Sequence, residues 1–233
     1  MSNFNKVNLL PDTKKYSHER QETLLKRGEN EKIVALERDY DFFDGERRYG
    51  YGGYVNDGRW DKIALKFVKY FQLDIAAKIL QVECEKGFLL KAFQNCNDNF
   101  NLVGTESSEY AYSHREISLK APIIRNHGPH LPFFDSSFDL VISIGYPYTL
   151  NLRDFSIFIH ELKRISRQQF ITLASYQSLE ELSMFRKWSL LGNLIKTEKE
   201  WEDILSSLQY VGAVQFVSAL SLGLISRNDA RGS

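Results

Sequence analysis

Short apolar runs alternate along the chain with longer segments in which apolar residues recur every three or four positions. Positions 138–144 are apolar enough to form a strand buried on both faces, whereas 61–71 has the apolar spacing of a helix. The predicted strands are 78–82, 101–105, 122–125, 138–144, 169–174 and 214–220. The predicted helices are 61–71, 87–95, 108–119, 152–165 and 179–208, the last with a break near Gly192.

Strands that alternate with helices at this spacing predict an α/β fold with a doubly wound, mostly parallel sheet. Ligands of such sheets bind beyond the carboxyl ends of the strands. The residues that directly follow each predicted strand are therefore the first candidates for a functional site.

The segment before this pattern divides into an arm and a loop. Residues 1–38 are polar, with helical propensity over 19–36 that Gly28 weakens and a thin apolar stripe. Residues 39–60 combine five glycines with many aromatic residues, which predicts a shaped lid over the core or over a ligand pocket. We expect an arm at 1–38, a main domain at 39–227 and a flexible tail at 228–233, and little order in the first ten residues.

Composition narrows the class of protein. The 233 residues carry 30 Lys and Arg against 30 Asp and Glu, and a net charge of zero disfavours a nucleic-acid-binding protein. Cys84 and Cys96 are too few for a disulfide framework, which favours a cytoplasmic protein. The most apolar stretch, 210–225, is too short to span a membrane. No metal-ligand spacing is present, so we expect no metal site.

Four sequence blocks occur in a particular order. They are FFDGERRYGYGGYVNDGRW at 42–60, ILQVECEKGFLL at 79–90, NLVGTESSEYA at 101–111 and HLPFFDSSFDLVISI at 130–144. In this order and spacing the chain, over roughly residues 16 to 217, resembles the class I S-adenosylmethionine-dependent methyltransferases. Within them it is similar to a bacterial group linked to the modification of surface polysaccharides and sugars. The resemblance implies a Rossmann-like sheet of the seven-stranded type.

The resemblance also implies a cofactor-binding role for several positions. Glu83, Glu85 and Gly87 lie in the loop after the first strand, where family members have small residues that let the backbone approach the methionine end of the cofactor. Glu106 stands where an acid binds the ribose hydroxyls, and His127 stands near an acid that faces the adenine.

The same positions depart from the family pattern. Glu83 replaces a glycine, Glu85 a small residue and Gln81 an acid, and His127 lies where the adenine-side acid is expected. Two carboxylates near the carboxylate of the cofactor would repel it. We therefore expect S-adenosylmethionine to bind much more weakly than it does in the family.

Other candidates surround the expected cleft. Arg59 follows the lid and could pair with a carboxylate, either of a ligand or of a surface acid. Gly145, Tyr146 and Tyr148 follow the fourth strand, and the tyrosines either orient an acceptor hydroxyl or pack the cleft.

Three functions remain open at this point. The departures favour a repurposed, non-catalytic protein, a partner of a related methyltransferase in sugar or polysaccharide modification. An active methyltransferase with a small sugar-like acceptor is the alternative, and acid–base chemistry by Glu83 and Glu85 is a third. We expect a homodimer or a heteromer with a related active methyltransferase, because the arm needs a surface to cover its apolar stripe.

Overall fold

Eight parallel strands form the centre of the structure, a computed structural model that describes residues 4–11 and 18–225. The order across the sheet is β1-β8-β6-β5-β2-β3-β4, and β7 pairs with β6 off this path. Every strand pair is parallel. The strands are β1 (Asn5–Lys6), β2 (Lys78–Val82), β3 (Asn101–Glu106), β4 (Ile123–Arg125), β5 (Phe138–Ser143), β6 (Ser166–Ser175), β7 (Ile195–Lys196) and β8 (Ala213–Val217).

Helices cover both faces of the sheet. Consecutive residues of β2 belong to different hydrophobic clusters. Leu80 is in the cluster of Phe155 and Trp201, whereas Ile79 is in the cluster of Phe67. Side chains alternate between the two faces of a strand, so both faces are buried, as in doubly wound folds. The helices are α1 (His18–Leu25), α2 (Glu29–Leu36), α3 (Tyr40–Phe43), α4 (Arg59–Phe71), α5 (Phe88–Cys96), α6 (Glu109–Ser113), α7 (Leu152–Ile165), α8 (Leu179–Trp188) and α9 (Glu198–Ser207), with a 3-10 turn at Pro147–Thr149.

The sheet changes direction between β2 and β5, which lie side by side at its centre. From β2 the chain proceeds to β3 and β4 on one side, and from β5 to β6 and β8 on the other. The loops that leave β2 and β5 therefore diverge, and a crevice opens between them at the carboxyl edge of the sheet.

Several predicted elements differ from the structure. The helix expected over 108–119 is only α6, because the chain turns at His114 and Glu116 N–H donates instead to the carbonyl of Lys86. The break expected near Gly192 in 179–208 is confirmed, and the short strand β7 in the gap between α8 and α9 was not predicted. The arm helix is two helices, since Gly28 caps the start of α2 in an extended conformation.

The expectation of little order near the amino terminus is wrong for residues 4–11. Asn5 and Lys6 pair with β8, and the Phe4 side chain is buried. The Gln215 side chain accepts hydrogen bonds from the backbone N–H groups of Leu9 (2.9 Å) and Leu10 (2.8 Å). The predicted tail at 228–233 lies outside the described residues.

The described residues contain neither a candidate membrane-spanning helix nor a candidate metal site. None of their helices combines the length and the apolar character that a membrane crossing requires. Across 4–11 and 18–225, no group of His, Cys, Asp and Glu side chains is arranged to hold a metal ion.

Candidate functional site

A cavity of about 440 Å³ lies at the carboxyl edge of the sheet, in the crevice between β2 and β5. The end of β2 and its loop contribute Gln81, Glu83 and Glu85 to the wall. The segment after β5 contributes Gly145, Tyr146 and Tyr148, and the segment 39–60 contributes Tyr51 and Tyr54. The volume is that of an ordinary small-molecule site, and the location is that of ligands in doubly wound folds.

The loop after β2 has an unusual backbone. Glu83 (φ 52°), Glu85 (φ 54°) and Gly87 (φ 77°) all adopt the left-handed conformation, which glycine adopts at little cost and glutamate does not. A non-glycine residue held in this region costs on the order of 1 kcal/mol or more. The backbone thus keeps a glycine-like path, while two glutamate side chains replace the open space that glycines would leave.

Arg38 joins the ends of β2 and β3. Its Nη1 donates to Glu83 Oε2 at 2.8 Å, and its Nη2 donates to Glu106 Oε1 at 3.0 Å. Glu106 is fully buried and accepts two further hydrogen bonds, from Ser108 N–H (2.7 Å) and from Glu85 N–H (2.6 Å). Glu83 accepts another from the Ser107 hydroxyl at 2.8 Å. The carboxylate of Glu106 thus accepts three hydrogen bonds from groups of the protein.

Burial and charge compete in this cluster. Burial raises the pKa of Glu106 to about 7, with Arg38 opposing the shift and Glu83 adding to it. Burial by itself lowers the pKa of Arg38, but the carboxylates of Glu106 and Glu83 outweigh this and raise it. The guanidinium stays charged, and it is the cation on which the two buried acids depend.

Residues of the 39–60 segment hold the other acid of the loop. Tyr51 OH donates to Glu85 Oε1 at 2.5 Å, and the ring of Tyr51 stacks on Tyr54 with 4.4 Å between centroids. Burial raises the pKa of Glu85, against the effect of the hydrogen bonds from the two tyrosines. Lys86 Nζ binds Asp44 at 2.6 Å. The segment therefore lies over the carboxyl end of β2. An ion pair to Lys86 and a hydrogen bond to Glu85 hold it there.

The segment after β5 carries the two tyrosines named as candidates. Gly145 (φ 83°) donates its N–H to Thr172 Oγ1 at 2.7 Å, which fixes the turn. Burial raises the pKa of both Tyr146 and Tyr148 above the usual range of a tyrosine. Neither hydroxyl is therefore suited to act as a base near neutral pH.

The remaining predicted residues lie outside the wall or on its rim. Arg59 is at the rim and binds Asp57, its Nε to Oδ1 at 2.8 Å. His127 follows β4 and is exposed, and neither it nor Gly87 belongs to the cavity lining. Gly87 packs at the start of α5, where an added Cβ would meet the Leu119 side chain at 2.7 Å.

Arg38 is the site residue that sequence reasoning missed, since it fell at the end of the polar arm and belongs to no motif. One signal was present: Glu83, Glu85 and Glu106 follow buried strands, and buried acids require a cation or strong donors.

Comparison with known proteins gives structural neighbours and no sequence relatives. No protein-family model matches the chain, and no curated protein matches it. The YcgJ protein of Bacillus subtilis aligns with a TM-score of 0.50 at 16% identity, over 63% of this chain and 67% of that one. A protein of Bacillus halodurans C-125 assigned as a methyltransferase aligns with a TM-score of 0.51 at 13% identity, over 62% and 67%.

A third neighbour is the [4+2]-cyclase SpnF, with a TM-score of 0.51 at 14% identity, over 64% of this chain and 57% of that one. At such identities the likeness concerns the fold, and the cyclase illustrates that one fold serves more than one reaction. Three observations point to the same fold: the order of the strands, the crevice between β2 and β5, and the structural neighbours. The chain has the Rossmann-like fold of the class I S-adenosylmethionine-dependent methyltransferases.

Proposed function

We propose that this chain is a methyltransferase-fold protein that does not transfer methyl groups. It acts as a repurposed, non-catalytic partner of a related methyltransferase in sugar or polysaccharide modification. The observation that carries the proposal is the burial of Glu106, whose two carboxylate oxygens are already bonded to Arg38, Ser108 and Glu85. This acid holds the position that binds ribose hydroxyls in the family that the sequence resembles.

The bonds of Glu106 argue against a nucleoside cofactor. A ribose diol would have to displace the Arg38 guanidinium to reach the carboxylate. Displacement would break the ion pair between Arg38 and Glu106, in a site where both side chains are largely buried. Breaking a buried ion pair in this way costs several kcal/mol, roughly 3–5 in measured cases. The residues of this site therefore do not fit S-adenosylmethionine in the conformation described.

The loop after β2 also disfavours the binding of S-adenosylmethionine. Arg38 neutralises much of the charge of Glu83, so the repulsion expected from two bare carboxylates is reduced to that of Glu85. Glu85 has hydroxyl donors rather than a directly bonded cation. A second carboxylate about 4 Å away would be opposed by roughly 1 kcal/mol in water and by more in a crevice.

The partner is supported by a surface and by the resemblance. Ile33 and Leu36 on α2 are 62% and 67% exposed, next to Tyr40 at 56%. This apolar surface would be covered in a homodimer or in a heteromer with an active methyltransferase. The link to sugars rests on the likeness of 42–60 and 130–144 to the polysaccharide-modifying group.

Calorimetric titration with S-adenosylmethionine and S-adenosylhomocysteine tests the proposal. We expect a dissociation constant of about 1 mM or weaker for the wild-type protein. The double variant Arg38→Ala, Glu83→Gly, which releases Glu106, should bind at least about tenfold more tightly. Lys120→Ala, which removes an exposed ion pair with Asp98, is the control and should not change binding.

Micromolar binding by the wild-type protein would contradict the proposal. It would favour the alternative, an active methyltransferase with a small sugar-like acceptor, for which the cavity beside Tyr146 and Tyr148 is the supporting observation. Equally weak binding by the double variant would contradict the role assigned to Arg38.

A further inference from the structure

Three residues of the cavity wall each have a buried polar atom without a hydrogen-bond partner among the described residues. The atoms are Arg38 Nε, Gln81 Oε1 and the hydroxyl of Tyr146. Gln81 is only 6% exposed and lies on β2, at the floor of the crevice. Buried polar groups are nearly always hydrogen-bonded, so three on residues of one cavity wall indicate that something else completes their bonds.

The types of these atoms define what they would bind. Arg38 Nε–H is a donor, Gln81 Oε1 is an acceptor, and the Tyr146 hydroxyl can be either. A ligand that satisfies all three must present both donors and acceptors. Hydroxyl groups do this, because each one donates one hydrogen bond and accepts others.

Several charged side chains of the cavity wall already have partners within the protein. Arg38 binds Glu83 and Glu106, Arg59 binds Asp57, and Glu85 accepts from Tyr51. A carboxylate ligand at Arg38 would lie close to Glu83, and an ammonium ligand at Glu83 would lie close to Arg38. A neutral ligand is repelled by neither side chain.

The remaining wall suits a ring. Aromatic side chains from three parts of the chain line the cavity, from the 39–60 segment (Tyr54), from α4 (Trp60) and from α8 (Trp188). Rigid aromatic faces with a few convergent polar groups are typical of small-molecule sites. A volume of about 440 Å³ accommodates a ring with its substituents.

We propose that this cavity binds a neutral glycoside, whose ring hydroxyls contact Arg38 Nε, Gln81 Oε1 and the Tyr146 hydroxyl. The inference rests on the proposed function only in taking S-adenosylmethionine not to be the occupant. It extends that function by giving the non-catalytic partner a ligand of its own.

Saturation-transfer NMR and calorimetry with three defined probes test the inference. The probes are methyl α-D-glucopyranoside, methyl α-D-galactopyranoside and methyl α-L-rhamnopyranoside. Binding is expected for at least one of them, and its affinity should fall about tenfold in Gln81→Leu and in Tyr146→Phe. Tyr70→Phe, an equal change on α4 outside the cavity lining, should bind like the wild-type protein.

The inference is wrong if none of the three glycosides shows saturation transfer. It is also wrong if the wild-type protein and both cavity variants bind with equal affinity. Tighter binding of glucosamine or of methyl α-D-glucuronoside would contradict the neutral ligand. Binding of adenosine without any glycoside would assign the cavity to a nucleoside. Tyr146→Phe removes a single oxygen and is expected to fold, which thermal melting verifies. Loss of this inference leaves the titration with S-adenosylmethionine unaffected, so the two proposals fail separately.

Discussion

Arg38 Nη2 and Glu106 Oε1 lie 3.0 Å apart, although the two residues are separated by 68 positions in the sequence. The contact fastens the end of the amino-terminal arm to the carboxyl end of β3. Without this contact, the carboxylate of Glu106 would be free to face the crevice. Under the proposed function, this internal ion pair and a bound nucleoside compete for one carboxylate.

Removal of Arg38 should destabilise the protein strongly. Arg38→Ala leaves Glu83 and Glu106 buried without their cation, and we expect the free energy of unfolding to fall by about 2–4 kcal/mol. This range allows for the 19% exposure of the Arg38 side chain. Urea denaturation measures it. Lys120→Ala, at an exposed pair, should change stability by less than about 0.5 kcal/mol, and an equal effect of the two variants would contradict the prediction.

Stability should fall as the pH rises from about 4.5 to about 7. The pKa of Glu106 is about 7 in the folded protein against an ordinary value of 4.5, so in this window the folded state holds a proton that the unfolded chain has released. The free energy of unfolding then decreases with pH, by at most about 1.4 kcal/mol per unit, and this contribution becomes constant about one unit above pH 7.

Urea denaturation across this window compares the wild-type protein with Glu106→Gln, in which the slope due to this group should vanish. Asp44 and Glu161 do not interfere, because ion pairs and hydrogen bonds lower their pKa values and they titrate below the window. Parallel pH curves for the two proteins would show that Glu106 does not titrate there.

Arg27 should hold the 39–60 segment in place. Its guanidinium donates to the carbonyls of Arg47 (2.5 Å), Gly50 (2.9 Å) and Trp188 (2.6 Å), among others. Arg27→Lys cannot reproduce this set, because an ammonium is a point donor. We expect faster hydrogen exchange over 46–54, read by mass spectrometry, and unchanged exchange in α7. Exchange that stays at the wild-type rate over 46–54 would count against this role.

Gln72 should be a stabilising position for glycine. It caps the end of α4 in the left-handed conformation (φ 50°, ψ 50°), which favours glycine. Gln72→Gly should raise the free energy of unfolding by roughly 0.5 kcal/mol, after allowance for the greater freedom of glycine in the unfolded chain. Lys66→Gly, in the exposed interior of the same helix, should lower it by about 0.5–1 kcal/mol. Thermal melts of both variants that shift in the same direction would refute the assignment.

The elements with a strong local pattern were predictable. Helix 152–165 and strand 78–82 have the predicted bounds, because their apolar spacing repeats over their whole length. Strands β1 and β7 were missed, since each has two residues and pairs with a distant strand. Helix 108–119 was predicted too long, because contacts with Lys86 redirect the chain.

The site was predictable only as a set of positions. Strand ends and motifs directed attention to Glu83, Glu85, Glu106 and Tyr146, and three of these line the cavity. The partners of these residues, Arg38 and Tyr51, come from segments without a readable link to the strands. Their contacts depend on how the arm and the 39–60 segment fold back over the sheet.

The sequence by itself determined the class of fold and the edge of the sheet at which a ligand would bind. These follow from the hydrophobic periodicity and from the alternation of strands with helices, which depend on residues close together in the sequence. The state of the acids at that edge was decided only by the tertiary structure. Whether Glu106 faces a ligand or an internal guanidinium depends on one long-range contact, and the energy of a buried charge is set by the atoms around it rather than by its neighbours in sequence.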